Sequence, residues 1–374
     1  MGLPFVKHQD AGMDARRLAV ADALIKRGCE EGIYPSAGFL VARHGKIVHQ
    51  SAFGELSPDG PKTQADTIFD LASLTKPHVA LGLLTLLEEG ALALTQEVQE
   101  FIPEAKGTAV GPLPLRVLAT HTSGLPAWKP LYKSGMSGSD VLPDARQRIL
   151  AEILATPLHH PTGTKYMYSD LGYMLNGEII ARVGGMPLNL YLHSRLFAPL
   201  GMKDTGYLPA ATMKDRIAPT ANSAIQSPNR TVGAVHDENA LVFGGVSGHA
   251  GLFGTAPDLA IIASALALNG EIGGHRILGI PTLRLVRTNQ TDPSVGGHSI
   301  GWFTPPNGML PRGDILGDTT FGHTGFTGTM IVVDPSLELA VILLTNRVMN
   351  PSDNGGIIRI RRRTVNIVAS AIIR

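Results

Sequence analysis

Along the chain, apolar residues recur with two periods, and the change from one to the other marks out its organisation. Between Asp14 and Gly28, Leu18, Ala21 and Ile25 fall on one side of a helical wheel with Asp22 at its edge, and Gly28 is placed to stop the helix. The segments AGFLVAR and KIVHQSAFG that follow are rich in apolar residues on either side of His44-Gly45, which predicts a β-hairpin. From residue 77 to residue 205 helical spacing dominates, in LRVLATH, ARQRILAEILAT, YMLNGEIIARVG and LYLHSRLFAPLG, with Pro and Gly between the runs. Residues 206 to 255, rich in Gly, Pro, Asn and Ser and ending in GGVSGHAGLFGT, read as long irregular connections around a functional surface. A helix returns at APDLAIIASALALNG and a shorter one near PTLRLVRT. Three strand-like runs come next, HSIGWF, GTMIVVD and LELAVILLTN, the last two joined at Pro335-Ser336. The final run, IRIRRRTVNIVASAIIR, is helical with a basic side that reads as a solvated face.

Strands at both ends with helices between predict an α/β (α+β) chain. An antiparallel sheet flanked by helices would be assembled from residues 1–72 and 206–374, with an inserted, mostly helical domain at 73–205 and a cleft between the two. Composition adds limits: 374 residues, 44% of them hydrophobic, are ample for a sizeable core. Lysine and arginine (32) balance aspartate and glutamate (31), so no strong field draws the molecule to nucleic acid or to an anionic membrane. Neither is expected as a partner; small, weakly charged substrates are. Cys29 is the only cysteine, which excludes an intrachain disulfide framework and a cysteine-based zinc site. The start MGLPFVKHQD lacks the basic-then-apolar pattern of a signal peptide, and no run of about 18 uncharged apolar residues occurs. A cytoplasmic location is the expectation, or a periplasmic or secreted one had a leader been removed.

Glycines never occur two apart, so there is no dinucleotide-binding fingerprint, and the phosphate-loop pattern is absent too. The thirteen histidines include no H-E-x-x-H, and neither a metal nor another cofactor is expected. Without a G-x-S-x-G elbow, the α/β-hydrolase route to serine chemistry is disfavoured. What stands out is Ser73-Leu74-Thr75-Lys76, just ahead of an apolar helix. At i and i+3 on a helix the two side chains share a face, with Cβ atoms about 5 to 6 Å apart. A serine hydroxyl needs a neighbour to take its proton, and the helix N-terminus offers N–H groups where an oxyanion would form. Alone, the pair reads equally as a helix cap with a first-turn lysine.

Its company changes the weight. Tyr166-Met167-Tyr168-Ser169-Asp170 opens a helical run, and Gly322-His323-Thr324-Gly325-Phe326-Thr327-Gly328 precedes the strand MIVVD. With TIFDLASLTK, LATHTSGLP, YSDLGY, GVSGHAGLFGTAPDLA, and FGHTGFTGT followed by LLTNR, the chain resembles the serine β-lactamase and penicillin-binding-protein superfamily. The resemblance is to its class C β-lactamase, D,D-peptidase and family VIII carboxylesterase branch, and it covers nearly the whole chain. It implies the β-lactamase/transpeptidase-like fold and a Ser73 that is acylated by an ester or amide carbonyl, with Lys76 beside it. Tyr168 matches the family's proton-transfer tyrosine, and His323-Thr324-Gly325 its Lys-Thr-Gly strand motif. The N–H groups of Ser73 and Phe326 would form the oxyanion hole, and Gly325 would let substrate approach the strand edge. Whether Lys76 or Tyr168 is the formal base stays open.

Two departures from the family pattern bear on the substrate. Asp170 stands where β-lactamases usually carry an amide, and a carboxylate there would hold Lys76 protonated and favour Tyr168 as proton acceptor. His323 replaces the lysine that attracts a substrate carboxylate, and much of a histidine population is uncharged at neutral pH. Arg347 would supply a compensating cation if it faced the cleft. His121 is read as a brace for the loop beside the site, and Trp128 and Trp302 equally as core or as substrate walls. No acidic residue in a recognisable family context serves to activate a deacylating water, so Tyr168 would act in both steps. The implied substrates are a small-molecule ester, a β-lactam or a short peptide. Carboxylester hydrolysis with weak β-lactam turnover comes first, D,D-peptidase or D-amino-acid amidase activity next, and a non-catalytic binder of the same fold is the alternative of another class.

Overall fold

The computed structural model describes residues 2–220, 232–349 and 355–373. Part of the segment read as irregular, residues 221 to 231, lies outside them. The amphipathic run near the N-terminus is helix α1 (Ala15–Glu30), capped by Asp14, whose side chain accepts from the Arg16 N–H at 2.8 Å. The hairpin forms as strands β1 (Ser36–Arg43) and β2 (Lys46–Gly54).

Downstream, β3 (Phe69–Asp70) leads into α2 (Thr75–Glu88), and α3 (Ala145–Leu154) and α4 (Asp170–Val183) follow in the helical region. Next in chain order are β4 (Gly206–Tyr207), β5 (Leu252–Gly254), α5 (Ala256–Ala267) and α6 (Ile280–Arg287). Three further strands, β6 (Phe321–Thr324), β7 (Met330–Asp334) and β8 (Leu339–Thr345), precede the last helix, α7 (Gly356–Ser370).

The main sheet is antiparallel and runs β6-β7-β8-β1-β2, so strands from the two ends of the chain meet at β1 and β8, with Ala37 opposite Thr345 and Arg43 opposite Leu339. Side chains alternate across it. Leu40, Ala42, Ile331, Val333, Ile342 and Leu344 join one apolar core with the helical region, whereas Phe39, Val41, Val332, Val341 and Leu343 join a second core with α1 and α7. Burial on both faces is why β1 and β8 read as unbroken apolar runs rather than as alternating ones.

Two expectations need correction. HSIGWF is not a strand: Gly301 has φ +90°, the chain turns back on itself, and only isolated bridges remain, His298 to Phe303 and Phe303 to Gly322. Within the segment read as irregular, Leu252–Gly254 is the central strand of a small sheet, flanked by Phe69–Asp70 and Gly206–Tyr207. That sheet matters for the site, because the Leu71 N–H donates to the Leu252 carbonyl (2.9 Å) and the Leu252 N–H to Thr75 Oγ1 (3.1 Å). It thus pins the start of α2 to the GHAG loop. Helix α2 is apolar nearly all round and packs against α4, as an interior helix should.

Candidate active site

Ser73 lies in a short turn of 3-10 helix, Ala72–Leu74, that runs straight into α2. Its neighbour Ala72 has φ +47°, a conformation that costs a non-glycine residue about 1–3 kcal/mol unless its surroundings impose it. Asp70 imposes it. One carboxylate oxygen of Asp70 accepts the Ala72 N–H (2.8 Å) and the other accepts the His236 N–H (2.7 Å).

Lys76 is fully buried on α2. Its ammonium donates to Ser73 Oγ at 3.0 Å and to the His249 carbonyl at 3.1 Å, and it lies 2.7 Å from Asp170 Oδ1. Burial alone would push its pKa down, but the Asp170 carboxylate and Tyr168 outweigh that, and the amine is held above its ordinary range. Ser73, the His249 carbonyl, Asp170 and the Tyr168 hydroxyl thus surround the ammonium. Tyr168 stands against both Ser73 and Lys76, with the ammonium 4.8 Å from the ring centroid. Burial pushes the phenol up and Lys76 draws it partly back, leaving it above the ordinary tyrosine value.

The loop HTSGLP sets Tyr168 and Asp170 in place. The Ser169 N–H donates to His121 Nδ1 (2.9 Å), Ser169 Oγ to the Pro126 carbonyl (2.8 Å), and the Asp170 N–H to the Ala127 carbonyl (2.9 Å). His121 also lies 4.4 Å from the Tyr168 ring, tilted 34° to it, and is buried, so it braces this strip of chain as its position in the sequence suggests.

On the opposite side, the turn after β6 is tied to the segment just ahead of Ser73. Thr327 Oγ1 donates to the Asp70 carbonyl (2.7 Å) and Thr329 Oγ1 to the Leu71 carbonyl (3.1 Å). A Cβ on Gly325 would strike Thr329 Oγ1 and the Leu71 carbonyl, so the glycine is required by this packing and not only by the approach of a substrate. The N–H groups of Ser73 and Phe326 meet no acceptor among the described residues, which leaves both available to a ligand oxygen.

The Gly325 carbonyl accepts from Arg361, at 2.7 Å, as does the Thr329 carbonyl at 2.8 Å. Because a trans peptide points C=O and N–H in opposite directions, this grip aims the Phe326 N–H away from Arg361. Arg361 belongs to the terminal run read as a solvated basic face; Arg359, Arg362 and Arg363 are exposed there, but Arg361 is buried.

His323 has no exposed surface. It stacks 4.2 Å from Phe303, its Nδ1 donates to the Thr324 carbonyl (2.8 Å), and it lies behind Tyr168, not on the cleft wall. Burial first, then the charge of Lys76, holds it well below the ordinary histidine range, so it is a neutral imidazole. Thr324 ends β6 and is half-buried. Arg347 does not line the cleft; its guanidinium sits 4.9 Å from the Phe326 ring, which His236 stacks against at 5.8 Å. Trp302 is core, packed edge-on against Phe321, whereas Trp128 is about half exposed (46%) and lines the cleft.

The cleft has a volume of about 300 Å³ and is walled by Ser73, Tyr168, Asp170, Trp128 and Phe326, together with a group that sequence reasoning missed: His236, Asp237, Glu238 and His249. Larger cavities, of about 460 and 690 Å³, lie elsewhere, one beside α3 and α4 and one beside the Pro305-Pro306 bond, and neither contains Ser73. His249 Nε2 donates to Asp237 Oδ1 at 2.8 Å, and its Nδ1 pairs with Ser247 Oγ at 2.8 Å. Burial opposes it, but His249, the Ala240 N–H and Lys76 together hold the Asp237 carboxyl down at about 2. Asp170, Asp237 and His249 are close enough to hold a cation. Both ring nitrogens of His249 are already engaged, by Asp237 Oδ1 and by Ser247 Oγ, and Asp170 Oδ1 is paired with Lys76.

A serine hydroxyl, a buried ammonium, a phenol and two free N–H groups on one cleft match what an acyl-transfer site requires. The family model described as Beta-lactamase matches residues 21–364. The chain belongs to the beta-lactamase family. It is a serine hydrolase of the β-lactamase and penicillin-binding-protein type, with that superfamily's fold. Among its relatives, the "N-acetylmuramyl-L-alanine amidase" of Bacillus subtilis (strain 168) is 32% identical, over 93% of this chain and 86% of its own. The "Putative D-alanyl-D-alanine carboxypeptidase" of Escherichia coli (strain K12) is also 32% identical, over 92% and 85%. The solved structure of EstCE1, a hydrolase with promiscuous acyltransferase activity, superimposes with a TM-score of 0.75 at 21% identity, over 93% of this chain and 99% of that one. A class C β-lactamase from Rhodobacter sphaeroides gives 0.72 at 23% identity, over 95% and 99%. Among the described residues, no helix is long and apolar enough to cross a membrane.

Proposed function

We propose that this beta-lactamase-family chain hydrolyses an amide bond to an uncharged acyl group through an acyl-Ser73 intermediate, and turns over activated esters of small acyl groups as surrogates. Ser73 Oγ attacks the carbonyl carbon while its proton passes to Tyr168, which in turn gives its own proton to the leaving nitrogen. Lys76 stays an ammonium, paired with Asp170, and stabilises negative charge on Ser73 and Tyr168 as the proton moves. The oxyanion is received by the Ser73 and Phe326 N–H groups, each donor being worth about 3 kcal/mol of transition-state stabilisation. Asp170 acts through Lys76, and His323 as a neutral support behind Tyr168. Thr324 and Gly325 shape the strand edge, and Arg347 acts at the rim through Phe326.

One observation carries the choice of substrate. Three carboxylates, Asp170, Asp237 and Glu238, line the cleft with no lysine or arginine among the lining residues, and the residue at the family's lysine position is a buried neutral histidine. A carboxylate next to the scissile bond, as in a D-Ala-D-Ala terminus or a β-lactam, would meet like charge there. The relative named for N-acetylmuramyl-L-alanine supports placing an amide ahead of the ester. The exposed rings of Trp128 and Phe326, beside carboxylates that accept hydroxyl protons, suit a hydroxylated ring in the acyl part.

The test compares kcat/KM on N-acetylmuramyl-L-alaninamide, in which the alanine carboxyl is blocked, p-nitrophenyl butyrate, a D-Ala-D-Ala peptide and nitrocefin, with Ser73→Ala as control. The muramyl amide and the ester are expected to be cleaved, and the two carboxylate-bearing substrates at least about a hundredfold more slowly, a difference of about 2.7 kcal/mol. Preference for the D-Ala-D-Ala peptide would overturn the reading in favour of a D,D-peptidase, and preference for nitrocefin in favour of a β-lactamase.

A further inference from the structure

Releasing the acyl group requires a base for the attacking water, and the two groups nearest Ser73 are poorly suited to it. Lys76, paired with the Asp170 carboxylate and bonded to Ser73 and the His249 carbonyl, is held as an ammonium and has no lone pair to offer. Tyr168 stands against Ser73, and its proton is the one that Ser73 Oγ takes up when the acyl bond breaks. Of the carboxylates on the cleft, Asp170 is engaged by Lys76 at 2.7 Å.

Asp237 is held differently. Its Oδ1 accepts from His249 Nε2 and from the Ala240 N–H, each at 2.8 Å, which fixes the plane of the carboxylate. Among the described residues no hydrogen bond engages its Oδ2. His249 is buried and its other ring nitrogen is fixed by Ser247, so the carboxylate is braced from behind. Single oxygens of Asp170 and Asp237 and a ring nitrogen of His249 all lie within 4.8 Å of one another, which sets Asp237 beside the Lys76–Asp170 pair on the wall that contains Ser73. His249 contributes at both places, with its ring to Asp237 and its carbonyl to Lys76.

We propose that Asp237 is the general base of deacylation, with His249 and Ser247 as positioning residues; this rests on Ser73 being the acylated nucleophile. The water oxygen bonds to the acyl carbon as one water proton passes to Asp237 Oδ2. The tetrahedral adduct then collapses, the bond from the acyl carbon to Ser73 Oγ breaks, and Ser73 Oγ takes the Tyr168 proton. The proton held on Asp237 returns to Tyr168, so one water is consumed, the acid leaves, and every site proton is restored.

Asp237→Asn keeps a helix-capping side chain and an oxygen for His249 and Ala240, but removes the base. Rapid mixing with p-nitrophenyl butyrate reads acylation as the burst of nitrophenol and deacylation as the steady state, while intact-protein mass spectrometry reads the butyryl enzyme. The expected result is a burst rate within about threefold of wild type. Steady-state kcat should fall about a hundredfold or more, KM should fall with it, and the butyryl enzyme should accumulate. Hydroxylamine, a nucleophile that needs no base, should restore turnover. A burst and a steady state that fall together, or a kcat that does not change, would overturn the proposal. Should Asp237→Asn not fold, Asp237→Ser, another helix-capping side chain, is read by the same outcomes. If wild type neither cleaves the ester nor is labelled at Ser73 by a fluorophosphonate, the acyl-enzyme reading itself fails, a result separate from failure at Asp237.

Discussion

Tyr168 divides two buried regions, one that holds an ion pair and one that is neutral. On one side stand Lys76 and Asp170, an ammonium and a carboxylate 2.7 Å apart. On the other are His121, His298 and His323, three fully buried imidazoles packed among Tyr166, Tyr173 and Phe303. All three histidines are pushed down by burial, His298 to about 3, and Lys76 repels a proton on His121 and His323. Lys76 is as buried as they are and yet stays charged. Burial is common to both regions; the counter-charge is not, and it is the counter-charge that decides ionisation.

The largest expected effect breaks the boundary itself. Tyr168→Phe removes only a hydroxyl, and kcat/KM on p-nitrophenyl butyrate should fall about 10²- to 10⁴-fold with little change in melting temperature. A loss below tenfold would move proton transfer away from Tyr168. Asp170→Asn then tests the charged side, because it leaves a buried ammonium without its partner. Stability at pH 7 should fall by about 3 kcal/mol in urea unfolding, and the activity profile should gain an alkaline limb as Lys76 begins to lose its proton. An unchanged profile would show that Asp170 does not hold the lysine.

The neutral side is tested by acid. Between the unfolded histidine value of about 6.5 and the folded values, about 3 for His298 and about 4 for His78, the unfolded chain binds protons that the folded chain refuses. Stability is therefore fully present above about pH 6.5 and is lost as the pH falls, by about 1.4 kcal/mol per pH unit for each such histidine. His298→Leu should make that slope shallower by about one proton, measured from urea midpoints between pH 6.5 and pH 4.5. An identical slope would mean that His298 is protonated in the fold.

Much of the scaffold was legible before any coordinates. The hairpin around His44-Gly45, helix α1 and the paired strands β7 and β8 all form where the apolar pattern puts them, because period and turn chemistry are local properties of the chain. HSIGWF misled for a reason of the same kind: its apolar residues reflect burial, and Gly301 folds the run into a turn. The strand Leu252–Gly254 was hidden because three residues are too few to show a period.

Within the site, sequence alone determined that Ser73 and Lys76 share a helical face, since i and i+3 positions must, and the order of the motifs determined the family. What only the tertiary structure decided is the electrical state of that face. The pairing of Lys76 with Asp170, the His249–Asp237 brace and the hold of Arg361 on Gly325 join residues that are distant in the chain or that lie in loops without periodicity. Whether a buried group there keeps its charge depends on which partner lies within about 3 Å, and no local pattern in the chain encodes that distance.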